Sequence, residues 1–259
     1  MTGPVAGSLA IHLRKLKLPS FARDHEEVAH HAESEGWTFD RYLLELAERE
    51  VLDRDGRRIE RLCRQSKLPS DKTRETLDME RLPPKVRRRL AELFEGHFVT
   101  RAENVLAFGL PGRGKTHCLA AIGHELVRRG IPVLFLPAYR LVQQLLTAKR
   151  DLLLEVTIRR LDRYQAVIVD DIGYVQQDRE EMEVLFTFLA ERYERRSVLI
   201  SSNLVFSEWD RIFKDPMTTA CAIDRLVHHS TILELTGPSY REEAARLRRK
   251  QPEDGAQVR

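Results

Sequence analysis

The sequence lacks the features of a membrane-spanning or disulfide-stabilised protein. None of its apolar runs approaches the roughly 18 to 20 residues that a membrane-spanning helix needs, and its first residues lack the charged, apolar and small-residue parts of a signal peptide. We therefore expect a cytoplasmic protein without membrane contact. The three cysteines, Cys63, Cys118 and Cys221, stand far apart with no C-x-x-C pair. The pattern thus predicts neither a disulfide framework nor a zinc site.

The sequence also has few aromatic residues, and positive and negative charges nearly balance. Aromatic side chains make up 7% of the 259 residues, and 43 Lys and Arg stand against 40 Asp and Glu, for a net charge of +3. With 42% hydrophobic and 32% charged residues, the composition is typical of a globular chain. The sequence pI near 8.8 is compatible with a polyanionic partner but does not require one.

Two patterns of apolar residues divide the chain. Helical spacing between residues 8 and 68 predicts a small all-helical domain. From Asn104 onward, short apolar runs alternate with helical stretches, which is typical of an α/β domain with a parallel sheet covered on both faces. The predicted strands are 105–108, 133–136, 166–169, 198–201 and 232–235, and the main predicted helices there are 116–129, 140–149 and 180–195. The predicted organisation is a helical domain at 1–68, a linker and lead-in helix at 69–95, an α/β domain at 96–250 and a charged tail at 251–259.

Residues 109–116, with the sequence GLPGRGKT, match the phosphate-binding pattern G-x-x-x-x-G-K-[ST] between a predicted strand and a predicted helix. Its glycines let backbone N–H groups turn toward phosphates, Lys115 reaches the β and γ oxygens, and the Thr116 hydroxyl can ligate Mg²⁺. The alternative is an accidental glycine-rich turn, which the strand and helix context disfavours. The candidate ATP-binding residues are Gly109, Leu110, Pro111, Gly112, Arg113, Gly114, Lys115, Thr116 and His117.

Polar residues end two further apolar runs. Asp170 is the expected Mg²⁺ ligand and Asp171 the group that orients or deprotonates the attacking water, because ligands of open α/β sheets bind at the carboxyl ends of the strands. Capping of a helix before Ile172 is the alternative. Asn203 follows the run at 198–201. It either contacts the γ-phosphate or the attacking water or is an ordinary turn residue, and the residues alone leave both possibilities open.

In order and spacing these motifs resemble the AAA+ ATPases. Further segments are similar to one subgroup, the IstB-like ATP-binding helper proteins of bacterial insertion sequences, which are relatives of the helicase loader DnaC. They are IGY at 172–174, RYER at 192–195, SNL at 202–204, FSEW at 206–209 and DRLVHHS at 224–230, together with the segments 13–19 and 45–50. The resemblance covers nearly the whole chain. It implies a P-loop AAA+ domain with a five-stranded parallel sheet, preceded by a small all-helical domain.

The resemblance also implies a function. The chain would be an ATPase that uses ATP and Mg²⁺, forms a homo-oligomer through ATP-bridged interfaces on duplex DNA, and assists a partner transposase in target selection. By position, Asp170 and Asp171 correspond to the Walker B pair and Asn203 to sensor 1. Most AAA+ proteins have Glu where Asp171 stands, so slow hydrolysis is expected.

Two arginines receive roles only from this resemblance. Arg225 matches the arginine finger that reaches the γ-phosphate of a neighbouring subunit; the alternative is a surface arginine paired with Asp224 or Glu234. Arg241 ends a GPSYR segment that resembles a family GESYR segment. It is a candidate nucleotide sensor or, alternatively, a solvated residue at a helix start.

Three other functions share some of these features. A DnaC-like helicase loader would have the same ATP site and differ in its partner, a replicative helicase. A P-loop kinase of small molecules would act as a monomer on a phosphoryl acceptor. A scaffold that binds ATP without hydrolysis would form the same DNA complexes with ATP as with a non-hydrolysable analogue.

Two groups of residues lie outside the ATP motifs. Arginines recur at spacings of three and four on a predicted helix from Val51 to Gln65, which places them on one face: Arg54, Arg57, Arg58, Arg61 and Arg64. This basic stripe either contacts DNA phosphates or is a solvated face partly neutralised by acidic neighbours. Val51, Leu52, Ile59 and Leu62 are expected to pack on another side of this helix.

His228 and His229 suggest a metal site, but without a nearby Cys or acidic cluster we expect packing or surface residues.

Overall fold

The computed structural model describes residues 4–174, 179–209, 216–237 and 239. The chain divides into two compact units, Met1–Arg61 and Leu62–Arg259. No helix in the described ranges is both long and apolar enough to span a membrane.

The first unit is helical, as predicted. It contains α1 (Pro4–Lys15), α2 (Pro19–Ser34) and most of α3 (Phe39–Ser66). Proline at the first position of α2 fits a helix start, and the Thr38 hydroxyl accepts a hydrogen bond from the Arg41 amide at the start of α3. Leu13, Val28 and Leu46 are buried. The helices therefore share an apolar core.

The predicted packing on α3 is only partly correct. Leu62 is buried, but Val51 is 57% and Leu52 is 70% exposed. Arginines of the predicted stripe also have internal partners, as Arg54 and Arg57 show. Arg54 donates to Glu50 at 2.7 Å and to the Lys17 carbonyl, whereas Arg57 donates to the Asp53 carbonyl one turn earlier in the same helix.

The second unit is built on a five-stranded, all-parallel sheet, which confirms the predicted α/β class. Its strands are β1 (Asn104–Phe108), β2 (Val133–Pro137), β3 (Ala166–Asp170), β4 (Ser197–Ser202) and β5 (Ser230–Glu234). Their order across the sheet is β2-β3-β4-β1-β5. Each predicted strand is present, and β5 begins at Ser230, two residues before the predicted start.

Helices cover the sheet and connect its strands, as parallel topology requires. They are α4 (Pro84–Phe94), α5 (His97–Thr100), α6 (Lys115–Arg128), α7 (Ala138–Arg150), α8 (Leu154–Leu161), α9 (Arg179–Arg192) and α10 (Pro216–Val227), with short 3₁₀ turns at Met79–Arg81, Ile172–Tyr174 and Phe206–Glu208. The helix predicted to reach residue 195 ends at Arg192. The fully buried Arg192 guanidinium donates to the carbonyls of Leu161, Tyr164 and Ser197, and Glu194 has a left-handed φ of 55°.

The strand order determines where polar residues meet. Strands β3, β4 and β1 are adjacent, and every residue of β1 and β4 is buried. Strand β3 ends at the Asp170-Asp171 pair, β4 leads into the segment that contains Asn203, and β1 leads into the glycine-rich loop. Ligands of open α/β sheets bind at this edge.

Candidate functional site

The glycine-rich loop joins β1 to α6. Gly109, Gly112 and Gly114 have φ values of 152°, 80° and 87°, which residues with a Cβ rarely adopt. At Gly109 a Cβ would also lie 2.5 Å from the Leu235 carbonyl oxygen. The buried Lys115 ammonium donates to the carbonyls of Gly109 and Leu110 at 2.7 and 3.1 Å. The loop therefore holds Lys115 at the amino end of α6.

A hydroxyl and a carboxylate meet directly beneath this loop. Thr116 Oγ1 donates to Asp170 Oδ1 at 2.9 Å, and Ser201 Oγ donates to the same oxygen at 2.6 Å. Strand register explains the second contact, because Val169 pairs with Ile200 and the next residues are side by side. Sequence reasoning missed Ser201. The signal was a hydroxyl in an otherwise apolar buried run.

Asp171 leaves the sheet in a left-handed conformation, with φ of 57°. Among residues with a side chain, Asp and Asn tolerate this region best. The Asp171 amide donates to Ser201 Oγ at 2.8 Å. Ser201 thus contacts both acids of the pair, and the turn places the half-buried Asp171 at the wall of the pocket described next.

A pocket of about 290 Å³ brings most of the predicted residues together. Its lining includes Pro111, Gly112, Arg113, Gly114, Lys115, Thr116, His117, Asp171 and Asn203. Of the remaining predicted residues, Gly109 and Leu110 contact Lys115, and Asp170 contacts Thr116, behind this lining. Arg241 lies outside the described residues.

Part of the predicted linker also lines the pocket. Lys72, Thr76, Leu77 and Asp78 complete its wall. No motif marks these residues, and their polar composition predicts an unstructured connection. The role of this segment in the site could therefore not be read from the sequence.

Contacts with α6 hold the linker in place. His117 Nε2 lies 3.0 Å from the Thr73 carbonyl oxygen and 3.1 Å from Thr76 Oγ1. Burial is the main cause of the lowered pKa of His117, which favours the neutral imidazole. Arg128 donates to Glu75 at 2.7 Å near the other end of the helix. The segment is thus bound along the helix that begins with Lys115 and Thr116.

Asn203 packs closely against a glycine. A Cβ at Gly173 would clash with Asn203 Oδ1. Within the described part of the chain this buried oxygen has no hydrogen-bond partner, which is costly unless another donor reaches it. The Asn203 side chain thus lies between the turn at Gly173 and the pocket that it lines.

Arg225 lies at the opposite edge of the sheet. The Asn104 side chain, at the amino end of β1, donates to the carbonyl of Leu226, the residue after Arg225. The glycine-rich loop follows the carboxyl end of the same strand. The Arg225 guanidinium lies 5.0 Å from the centroid of the Phe186 ring. The structure therefore does not bring Arg225 together with the pocket of its own chain.

Comparison with known proteins extends these observations. Residues 11–248 match the model of a family described as IstB-like ATP binding protein. Relatives named as insertion-sequence ATP-binding proteins include one from Sinorhizobium fredii, 42% identical over 92% of this chain and 80% of its own length. Another, from Geobacillus stearothermophilus, is 35% identical over 94% of this chain and 97% of its own length. A Pseudomonas aeruginosa relative from IS21 is 36% identical, covering 90% and 88%.

Solved structures show the same fold at low sequence identity. Domain III of the Thermotoga maritima replication initiation protein DnaA aligns with a TM-score of 0.56 and 17% identity, over 71% of this chain and 74% of that one. AMPPCP-bound DnaA from Aquifex aeolicus aligns with a TM-score of 0.54 and 16% identity, over 75% and 58%. The predicted AAA+ fold is thereby confirmed.

Proposed function

Because the chain belongs to the family of IstB-like ATP-binding proteins, we propose that it is an ATPase that assembles on duplex DNA and assists a partner transposase in selecting its target. The observation that carries the ATPase part is the contact between Thr116, Asp170 and Ser201 beneath the glycine-rich loop. The names of the relatives, which are proteins of insertion sequences, support the role in transposition.

The loop and Lys115 would hold the triphosphate. Backbone N–H groups of a glycine-rich turn and the amino end of α6 favour an anion. Lys115 would exchange its bonds to two loop carbonyls for bonds to phosphate oxygens. The linker side of the pocket, where Leu77 is buried, suits the less polar base and ribose.

Thr116 and Asp170 fit a magnesium ion. Both offer oxygen donors, which Mg²⁺ prefers, and the two oxygens lie 2.9 Å apart. The ion would neutralise charge on the phosphates. Ser201 fixes the orientation of the Asp170 carboxylate by a 2.6 Å hydrogen bond.

Asp171 and Asn203 would act on the attacking water. Both line the pocket beside the loop. A carboxylate there can orient the water and accept its proton, and the Asn203 amide can report whether the γ-phosphate is present. Because Asp is one methylene shorter than the Glu of most AAA+ proteins, we expect slow turnover.

Arg225 would act on the nucleotide of a neighbouring subunit. The five residues of β1 separate its surroundings from the loop of its own chain, and the four steps from Asn104 to Phe108 span about 13 Å at 3.3 Å per residue. Head-to-tail contact between subunits would bring the arginine of one to the phosphates of the next. ATP would then bind at the interface and promote assembly.

The test is ATP hydrolysis by the purified full-length chain, alone, with duplex DNA, and with DNA plus a transposase from an insertion sequence of this family. We expect slow hydrolysis that DNA stimulates, and DNA complexes that are more stable with a non-hydrolysable analogue. Hydrolysis that is independent of DNA and of protein concentration would contradict the proposal. Copurification with a replicative helicase instead of the transposase would favour a helicase loader.

A further inference from the structure

Three metal-ligating side chains converge at the amino-terminal edge of the sheet, away from the ATP pocket. Glu194 follows α9, and His228 and His229 join α10 to β5. One ligand atom from each residue lies within 4.8 Å of the ligand atoms of the other two. We propose that Glu194, His228 and His229 bind a divalent transition-metal ion, with Zn²⁺ as the best match.

The sequence does not predict this site, because Glu194 lies far from the two histidines along the chain. The two histidines have no Cys or acidic cluster beside them in the sequence, so they are expected to be ordinary surface residues. All three side chains are exposed, as that expectation requires. The fold, however, supplies the missing carboxylate from the turn after α9.

The distances are close to those of a metal site. His229 Nε2 and Glu194 Oε1 lie 3.9 Å apart, and the ligand atoms of all three residues lie within 4.8 Å of one another. Ligand atoms about 2.1 Å from a tetrahedral zinc ion are about 3.4 Å from one another. Because the three side chains are exposed, small rotations about their χ angles can close the difference.

A fourth residue orients one of the histidines. The Tyr193 hydroxyl lies 3.0 Å from His228 Nδ1. When Nδ1 carries the proton and donates it to Tyr193, the lone pair of Nε2 is free for the ion. Histidine ligands of metals are commonly fixed by such a hydrogen bond from their other ring nitrogen.

The backbone also holds the cluster in place. The amide of Asn104 donates to the His229 carbonyl at 2.7 Å, which ties the histidine turn to the start of β1. Glu194 has φ of 55°, at a position after a helix where glycine is the usual residue. This chain has a carboxylate there instead, and the turn directs it toward the histidines.

The ligand set indicates the ion. Two imidazoles and one carboxylate are a common zinc set with an open fourth position. Mg²⁺ and Ca²⁺ prefer oxygen ligands only, so the site differs in chemistry from the Thr116 and Asp170 pair. The open position would take water or a carboxylate from another molecule. The proposal does not depend on the ATPase function.

Co²⁺ is a suitable probe, because its visible absorption distinguishes four-coordinate nitrogen and oxygen sites from six-coordinate oxygen sites. Full-length protein without nucleotide or Mg²⁺ would be titrated with Co²⁺ above pH 7, where imidazole is neutral, and then with Zn²⁺. We expect a single Co²⁺ per chain with strong visible bands, displaced by Zn²⁺. His229→Ala and Glu194→Gln should each weaken Co²⁺ binding by more than about tenfold. Tyr193→Phe should weaken it less than either ligand variant does.

Matched controls separate this site from others. His97→Ala removes another exposed histidine and Glu191→Gln another exposed carboxylate, on α9 itself. Asp170→Asn removes the expected Mg²⁺ ligand. All three should leave the Co²⁺ spectrum unchanged. If a histidine variant does not fold, Glu194→Gln still decides, because it changes one exposed side chain. Unchanged affinity in Glu194→Gln and His229→Ala, or no Co²⁺ binding tighter than millimolar, would overturn the proposal.

Discussion

Ser201 on β4 donates a 2.6 Å hydrogen bond to Asp170 on β3, and its oxygen accepts a 2.8 Å hydrogen bond from the amide of Asp171. One hydroxyl therefore fixes both residues of the acidic pair. It orients the carboxylate that faces Thr116 and stabilises the left-handed turn that carries the next carboxylate into the pocket.

Ser201→Ala should impair Mg²⁺-dependent hydrolysis more than it weakens nucleotide binding. The Asp170 carboxylate loses a donor, and the Asp171 amide loses its acceptor, which costs about 1 to 3 kcal/mol of stability where the amide is buried. ATPase assays over a range of Mg²⁺ concentrations should show a higher requirement for the ion, and thermal unfolding should show a lower Tm. Ser202→Ala is the matched control, because the Ser202 hydroxyl bonds only to the Leu204 backbone among the contacts described. Equal effects of both substitutions would argue against a special role for Ser201.

Lys115→Ala should abolish ATP binding. The ammonium is held at the amino end of α6 by two loop carbonyls, and no other cation of the loop occupies that place. Fluorescent-nucleotide titration is the measurement, with Lys85→Ala as the control that removes an exposed lysine on α4, outside the pocket. An affinity of Lys115→Ala within about threefold of wild type, a difference under 1 kcal/mol, would contradict the assignment.

The sequence predicted the sheet and the phosphate loop because both depend on local patterns. Buried parallel strands are continuous apolar runs, and the loop needs glycines at fixed spacing. The contacts of Ser201 and the linker could not be predicted in this way. Ser201 is recognised only from the register of β3 and β4, and Lys72 and Thr76 reach the pocket because their segment is bound along α6. The cluster at Glu194 likewise depends on residues far apart in the chain.

Asp171→Asn should bind ATP normally and lose turnover. The substitution preserves the size of the side chain and the hydrogen bond from the backbone amide to Ser201. It removes the carboxylate that accepts a proton from water. Single-turnover hydrolysis and nucleotide affinity would be measured together, and the variant should accumulate on DNA in the presence of ATP. The control is Asp151→Asn, an exposed acid after α7. Steady-state hydrolysis at the wild-type rate would exclude Asp171 as the catalytic carboxylate.

Arg225→Ala should lose hydrolysis and regain part of it when mixed with Lys115→Ala. Each variant alone lacks one half of the proposed interface, but random head-to-tail mixing pairs an intact lysine with an intact arginine at about a quarter of the interfaces. ATPase activity as a function of mixing ratio is the measurement, and it should be highest near equal amounts. Mixing Arg225→Ala with Asp171→Asn should give similar recovery. A lack of recovery at all ratios would mean that Arg225 acts within its own subunit or has no role in hydrolysis.

Replacing Arg57, Arg58 and Arg61 by Ala should weaken DNA binding for all sequences and reduce its dependence on salt. These arginines are exposed on α3, and phosphate contacts depend little on sequence. The slope of log affinity against log salt should fall by about one for each lost phosphate contact. Arg57 already donates to the Asp53 carbonyl, so we expect it to contribute less than Arg61, and single variants would show this. The control is a triple variant of Arg159, Arg160 and Arg163, which are exposed in the second unit and carry the same charge. An equal change in both triple variants would indicate an effect of net charge. A wild-type slope in the α3 variant would place the DNA contact on the ATPase unit.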